Sequence, residues 1–280
     1  MKTPRQTQPF RWGALAATVT LAASPSLAAS PSLAAFPALG VQNMPRITLA
    51  TPNFWLAQDQ GGEAGEAGIT ANASTDAAYL AELAIIEGHM LAARDLYAKG
   101  LKDEGVALSR HPQEEGTLDA LRKDIAAHDA ADPSDAVNAF TAAMVAGSDQ
   151  ATVDAALAAV SDVFAAAAAV EDDKVRARFD AVVLLLKAAA GEYEASIENG
   201  SVTDVMGWHE AFSFTAIARR NLSDLAAVEP SAKAANKAIA ALIGADAAFG
   251  DPTATPPLAG DAQILLTVAA RVELIASSVR

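Results

Sequence analysis

The residues of this sequence that are best suited to chemistry are four histidines and the carboxylates near them. The chain contains no cysteine, which excludes disulfides, thiolate metal sites and cysteine nucleophiles together. It also contains no Gly-x-Ser-x-Gly, phosphate-loop or dinucleotide-binding motif. Metal ligands, if the protein has any, must therefore be His, Asp, Glu or Met, and no complete catalytic motif predicts an enzyme.

Glu82 and His89 form the most informative pair. Apolar residues cover a broad face of the helix predicted over residues 76–98, and both polar residues fall inside that face, two turns apart. Burying a carboxylate and an imidazole costs several kcal/mol unless each finds a partner. The pattern therefore predicts a pair of metal ligands, with a satisfied hydrogen bond in the core as the alternative.

His111 and Glu114 are three residues apart at the start of another predicted helix. This spacing places both side chains on one side of a helical turn, as a metal site requires. The alternative is that Glu114 only compensates the positive end of the helix dipole.

His209 and Glu194 complete the set of candidate metal ligands. His209 falls on one helical stripe with apolar and aromatic residues, so it is predicted to be half-buried, and a core histidine is the alternative. Glu194 stands one helical turn before Glu198, and a bound cation would relieve their repulsion, whereas a solvated face is the alternative. The fourth histidine, His128, is predicted only to complement the negative end of a helix.

The elements that must position these residues are predicted to be helices. From Thr75 to the C-terminus Ala, Leu, Glu, Lys and Arg dominate, runs of β-branched residues are rare, and Gly or Pro recurs at intervals that a helix would fill. The fold class is therefore predicted to be all-α, a helix bundle or stacked helical hairpins of about eight or nine helices. Asn199-Gly200 predicts a turn. The predicted helices cover 76–98, 101–110, 113–131, 134–146, a segment ending at 170, 176–191, about twenty residues ending at 225, a segment between Pro230 and Gly244, and 261–279.

The N-terminal segment has the pattern of a signal peptide. Lys2, Arg5 and Arg11 precede an apolar run at residues 12–23, and small-residue cleavage sites follow it. The run is too short to span a bilayer. We therefore predict a signal peptide at 1–29, a flexible Pro/Gly-rich acidic lead-in at 30–74 and a helical domain at 75–280. The mature protein is then periplasmic or secreted and has no transmembrane helix, the alternative being an N-terminal tail that is never removed.

The charge balance limits the classes of partner. The formal net charge is −14 at pH 7, from 20 Lys and Arg against 34 Asp and Glu. Such a surface repels nucleic acid and anionic lipid and is compatible with attracting cations. We therefore predict no nucleic-acid partner.

Two blocks of sequence resemble known proteins. The first contains Glu87-Gly88-His89, Leu96-Tyr97, Gly100 and His111-Pro112, and the second Tyr193-Glu194-Ala195, Gly200, Val202, Asp204, Glu210-Ala211 and Phe214. Both resemble uncharacterised exported helical proteins of bacteria, and the second is similar to the helical extracytoplasmic regions associated with bacterial iron permeases. The similarity to imelysin-like proteins is distant, since Ala92 replaces the glutamate of their Gly-x-His-x-x-Glu motif. The resemblance implies transition-metal handling without catalytic activity.

These observations lead to two hypotheses. The first is a periplasmic metal-binding or metal-handling protein, related to iron, whose site joins the first hairpin to the seventh predicted helix and whose partner is an envelope membrane protein such as a metal permease. Mixed imidazole and carboxylate ligands suit iron, zinc or copper without choosing among them. The alternative is a non-enzymatic scaffold or adaptor of the cell envelope that binds a protein partner, because the first hairpin superficially resembles a tetratricopeptide unit.

Overall fold

The computed structural model describes residues 68–70, 72–114, 116–251, 254 and 256–279. The signal peptide predicted at 1–29 and most of the lead-in predicted at 30–74 lie outside the described residues and stay predictions. The described chain confirms the all-α fold class, with one two-stranded hairpin between its helices. The elements are α1 (Thr75–Ala98), α2 (Lys102–Leu108), α3 (His111–Glu114), α4 (Thr117–Ala127), α5 (Ser134–Val145), α6 (Gln150–Ala169), α7 (Val175–Ala195), β1 (Ile197–Glu198), β2 (Ser201–Val202), α8 (Val205–Ala226), α9 (Ala232–Leu242), a 3₁₀ turn (Ile243–Ala245), α10 (Asp246–Phe249) and α11 (Gln263–Ala276).

Polar caps begin the three helices that matter most for the candidate sites. The side chain of Ser74 accepts a hydrogen bond from the backbone at the start of α1, and Asp149 does the same for α6. Asp204 accepts from two backbone N–H groups of α8, those of Met206 and Gly207. Each cap satisfies donors that a helix N-terminus leaves unpaired.

The predicted helix at 113–131 is wrong, because two shorter helices replace it. The chain forms α3 and then α4, separated at Gly116, whose φ of +78° is a left-handed conformation that favours glycine. Pro112 lies inside the first turn of α3. Backbone N–H groups of a first turn form no intrahelical hydrogen bond, so the N–H that proline lacks is not needed there. His111 consequently lies at the start of a single isolated turn.

The helix predicted at 176–191, with a last turn that could bend into 192–198, continues without interruption as α7 to Ala195. The predicted turn is confirmed, because Asn199 and Gly200 have φ values of +53° and +76° and connect β1 to β2. Positive φ at both central residues is typical of a tight turn in a β-hairpin. This hairpin leads directly into the cap of α8.

Two hydrophobic clusters form the core, and α1 contributes to both. One cluster joins α1 to α2, α4, α5 and α6, and the other joins it to α7, α8, α9 and α11. Other helices therefore pack on two sides of α1. The central position of α1 explains why sixteen of its residues are buried, among them the carboxylate of Glu87 and the imidazole of His89.

α1 and α8 approach each other closely at Gly88. A methyl group added there would overlap Cδ1 of Phe214 and would lie 2.6 Å from Cε1 of the same ring. The neighbouring residues also contact α8, since Glu87 accepts two hydrogen bonds from the Arg220 guanidinium, at 2.5 and 2.6 Å, and His89 faces Glu210. Gly88 thus lets three consecutive residues of α1 bind α8.

Gly88→Ala is expected to lower the free energy of unfolding by about 1–3 kcal/mol, since the phenylalanine ring is fully buried and must shift. Gly191→Ala is the matched control, because Gly191 lies inside α7 with no atom near the added methyl group and no positive φ. That variant should gain about 0.5–1 kcal/mol from helix propensity. Urea unfolding of both variants measures the difference, and equal effects would contradict the close contact at Gly88.

One helix among the described residues, α6, is long and apolar enough to cross a membrane by length and composition. Only 28% of its most apolar window is buried. Its buried residues recur every three or four positions and pack on α1 and α5, while Asp154 and Asp162 lie on its exposed side. This is the pattern of an amphipathic helix on the surface of a bundle.

Candidate metal centre

Three side chains from three helices converge beside the α1–α8 contact. Nε2 of His89 in α1 lies 3.2 Å from Oε1 of Glu210 in α8, and Nδ1 of His111 in α3 lies 3.7 Å from the same oxygen. The three potential ligand atoms all lie within 4.8 Å of one another. His89 and Glu210 are 3% and 5% exposed, whereas the His111 side chain is 20% exposed and connects the cluster to solvent.

The backbone determines which nitrogen of His89 faces the cluster. Nδ1 lies 3.0 Å from the carbonyl oxygen of Ile85, one turn earlier in α1. A carbonyl oxygen only accepts, so we assign a proton to Nδ1. In the neutral imidazole, Nε2 then directs a lone pair at the Glu210 carboxylate. Two acceptors this close repel each other unless a proton or a cation lies between them.

The spacing of the ligand atoms suits a transition-metal ion. Ligands at about 2.0–2.1 Å from a tetrahedral metal lie roughly 3.3 Å from one another. The two distances to Oε1 of Glu210 are 3.2 and 3.7 Å, so small side-chain adjustments would complete such a site. A histidine ligand that donates its other N–H to a backbone carbonyl is also a common arrangement around bound metals. The bond from His89 to Ile85 supplies that arrangement.

The charge of Glu210 is retained despite its burial. Burial alone would raise the pKa of this carboxyl, but hydrogen bonds from His111 and His89, which form when the nitrogens facing Glu210 carry protons, outweigh burial and lower the pKa to about 2. The carboxylate is therefore ionised at neutral pH. The cluster presents one buried negative charge flanked by two imidazoles, which is a donor set for a cation.

The structure brings together only some of the predicted ligands. His89 and His111 meet, but Glu82 lies two turns along α1 and hydrogen-bonds Thr70 at 3.4 Å, and Glu114 and Glu194 are both exposed. Burial, followed by the charge of Asp124, raises the pKa of Glu82.

His209 is fully buried but does not join the cluster among the described residues. Successive residues of a helix point about 100° apart, so His209 and Glu210 face different neighbours. The His209 ring lies 5.0 Å from the Trp208 ring, and neither of its nitrogens has a hydrogen-bond partner in the part of the chain that the structure describes. Sequence reasoning chose His209 and missed Glu210, although Glu210-Ala211 belongs to the second block of the family resemblance.

In a second cluster, formed by Asp76, His128 and Glu171, the potential ligand atoms are also close enough to hold a metal ion. A lysine side chain occupies this position instead. The Lys174 ammonium lies 2.7 Å from Glu171 and 3.0 Å from Asp76, where a cation would bind. His128 is the C-cap residue of α4, but its side chain is directed to Glu171, with Nδ1 2.8 Å from the carboxylate, and its predicted role of complementing the helix end stays a prediction. This cluster is therefore an ion-pair network that ties α1, α4 and α6 together.

Comparison with known proteins assigns no family to the chain. No family model, no curated protein and no solved structure matches it. The resemblance to exported helical proteins and to regions associated with iron permeases stays a prediction. The geometry of His89, His111 and Glu210 is what indicates a function.

Proposed function

We propose that the protein binds a transition-metal ion through His89, His111 and Glu210 and takes part in metal handling outside the cytoplasm. The observation that carries the proposal is the orientation of His89. Its Nδ1 is engaged by the Ile85 carbonyl, and its Nε2 faces the buried carboxylate of Glu210. When Nε2 carries no proton, a bound cation would lie between these two acceptors and form a bond to each.

The donor set defines the class of metal. Two imidazoles and one carboxylate suit divalent iron, zinc or copper, and the family resemblance favours iron among them. One carboxylate neutralises half of the charge of a divalent ion. Three protein ligands leave at least one coordination position for water or for an incoming ligand. The partial exposure of His111 gives that ligand a route to the ion.

This arrangement supports a role in holding and releasing a metal more than a purely structural one. Structural zinc sites are usually closed by four protein ligands, whereas this cluster offers three. The predicted signal peptide favours a location in the periplasm or outside the cell. A metal permease of the cell envelope is the partner that the family resemblance implies.

Calorimetric titration of the chelator-treated protein with ferrous, zinc and cupric ions tests the proposal. We expect saturable binding of one ion per chain and at least a tenfold loss of affinity in Glu210→Gln, because the amide has no charge to offer. Glu194→Gln is the matched control, since Glu194 is exposed on α7 and lies outside the cluster.

The glutamine variant is expected to fold, because its amide can donate a hydrogen bond to Nε2 of His89. No saturable binding tighter than tens of micromolar in the wild type would rule out the metal site. An equal loss in both glutamine variants would assign the binding to surface charge.

A further inference from the structure

A cleft separate from the metal cluster lies over α1, between α6 and α8. Its volume is about 490 Å³, which is within the range of small-molecule sites. The lining residues run from Leu80 to Glu87 on α1 and from Ser161 to Ala169 on α6, so the cleft is about 12 Å long at the rise of an α-helix.

The floor of the cleft is apolar. Leu80, Leu83 and Phe164 line it and are 8%, 3% and 2% exposed. Small side chains form the α6 wall, among them Ala165, which is exposed. The alanines leave room above the leucines, so the floor can contact an apolar body several atoms long.

The rim of the cleft is charged, and most of its charges cancel in pairs. Arg220 binds Glu87 through both carboxylate oxygens, and Arg178 lies 3.2 Å from Asp172. Both arginines are thereby occupied by an acidic partner. The charged rim residues outside these two ion pairs therefore determine whether the cleft attracts a cationic or an anionic ligand.

Two carboxylates remain, one on each wall. Asp162 on α6 and Asp224 on α8 both line the cleft and are exposed, and neither lies within ion-pair distance of a described basic group, although the charge of Asp224 contributes to raising the pKa of Arg220. The lining holds two arginines and four carboxylates, a formal charge of −2, in a chain whose formal net charge is −14. An anionic ligand would be repelled by both walls, and a cationic group would lie between two carboxylates.

We propose that this cleft binds a small organic cation with an apolar body, such as an alkyl- or arylammonium compound. The apolar body lies over Leu80, Leu83 and Phe164, and the ammonium group lies between Asp162 and Asp224. The proposal does not depend on the metal site, because the two sites share no side chain and the cleft requires no metal.

Calorimetric titration of the full chain in chelator with octylammonium and, separately, with octanoate tests the proposal. We expect one octylammonium per chain, bound at least tenfold more tightly than octanoate, whose alkyl tail is similar but whose charge is opposite. Glu210→Gln should bind octylammonium as the wild type does, so failure of the metal site and failure of the cleft are distinguishable.

Two matched pairs of variants locate the binding. The double variant Asp162→Asn/Asp224→Asn should lose about tenfold in octylammonium affinity. The control is Asp103→Asn/Asp135→Asn, which removes the same charge from exposed sites outside the cleft. This control should change the octylammonium affinity by less than about twofold. Ala165→Leu should fill the cleft and weaken binding, whereas Ala166→Leu, an exposed neighbour outside the lining, should not.

Three results would overturn the proposal. Equal losses in the two double variants would show attraction to the overall negative charge. If octanoate bound as tightly as octylammonium, Asp162 and Asp224 would not discriminate between a cationic and an anionic ligand. An Ala165→Leu variant with unchanged octylammonium affinity would place the ligand elsewhere. Thermal melts of every variant verify that the fold is retained.

Discussion

His89→Ala is expected to abolish the stabilisation of the protein by metal. At a metal concentration of about a hundred times the dissociation constant, the wild type gains roughly 2.7 kcal/mol of unfolding free energy. For a domain of this size the gain corresponds to an increase in Tm of roughly 5–10 °C. The variant lacks the imidazole that faces Glu210 at 3.2 Å, so its Tm should be the same in chelator and in metal.

His128→Ala is the matched control for this experiment. His128 is also a mostly buried imidazole beside a carboxylate, but the Lys174 ammonium already neutralises its partner Glu171. This variant should lose stability in chelator and still show the full metal-dependent shift. Equal metal-dependent shifts in wild type and His89→Ala would assign His89 to a purely structural hydrogen bond.

Acidification between about pH 6.5 and pH 4 is expected to destabilise the metal-free protein through His209. Burial, with a smaller contribution from the charge of Lys99, lowers the pKa of His209 from 6.5 to about 4. Below pH 6.5 His209 is therefore protonated in the unfolded chain, whereas in the folded protein it stays neutral until the pH falls to about 4. Stability is fully present above pH 6.5 and is lost as the pH falls towards 4, by about 3 kcal/mol in total.

His209→Leu should remove this contribution. Leucine has a similar volume and replaces two ring nitrogens that have no hydrogen-bond partner, so the variant should also be at least as stable as the wild type at pH 7. Urea unfolding at several pH values, in chelator, measures both effects. The pKa of Glu210 is about 2, so its own loss of stability falls at lower pH, below about 4.5. An identical pH dependence in both proteins would contradict the assignment to His209.

The position of His89 on a buried face could be predicted because α1 follows a regular helical period. Arg94 and Lys99 are less buried than the apolar stripe, so the sequence shows which side is solvated. The first half of α8 offers no such contrast. Eight of the nine residues from Gly207 to Thr215 are buried, since α1, α7 and α9 all pack on this helix. A helical wheel therefore could not distinguish Glu210 from His209.

Helix ends at glycines could be predicted only in part. Gly116 and Gly191 look alike in sequence, but one has a positive φ and breaks a helix whereas the other lies inside α7. The difference depends on what packs around each segment. The same dependence on packing explains why His111 could be proposed as a ligand from its spacing to Glu114, while its contact with Glu210 could not.

The three consecutive contacts from α1 to α8 have a consequence for how this protein can diverge. Glu87 closes the rim of the cleft through Arg220, Gly88 admits Phe214, and His89 faces Glu210 in the metal cluster. Inserting or deleting one residue in this part of either helix would rotate everything beyond it by about 100°. Both candidate sites would then be lost in one step. Descendants of this chain must therefore inherit the two sites together or alter them by substitution alone.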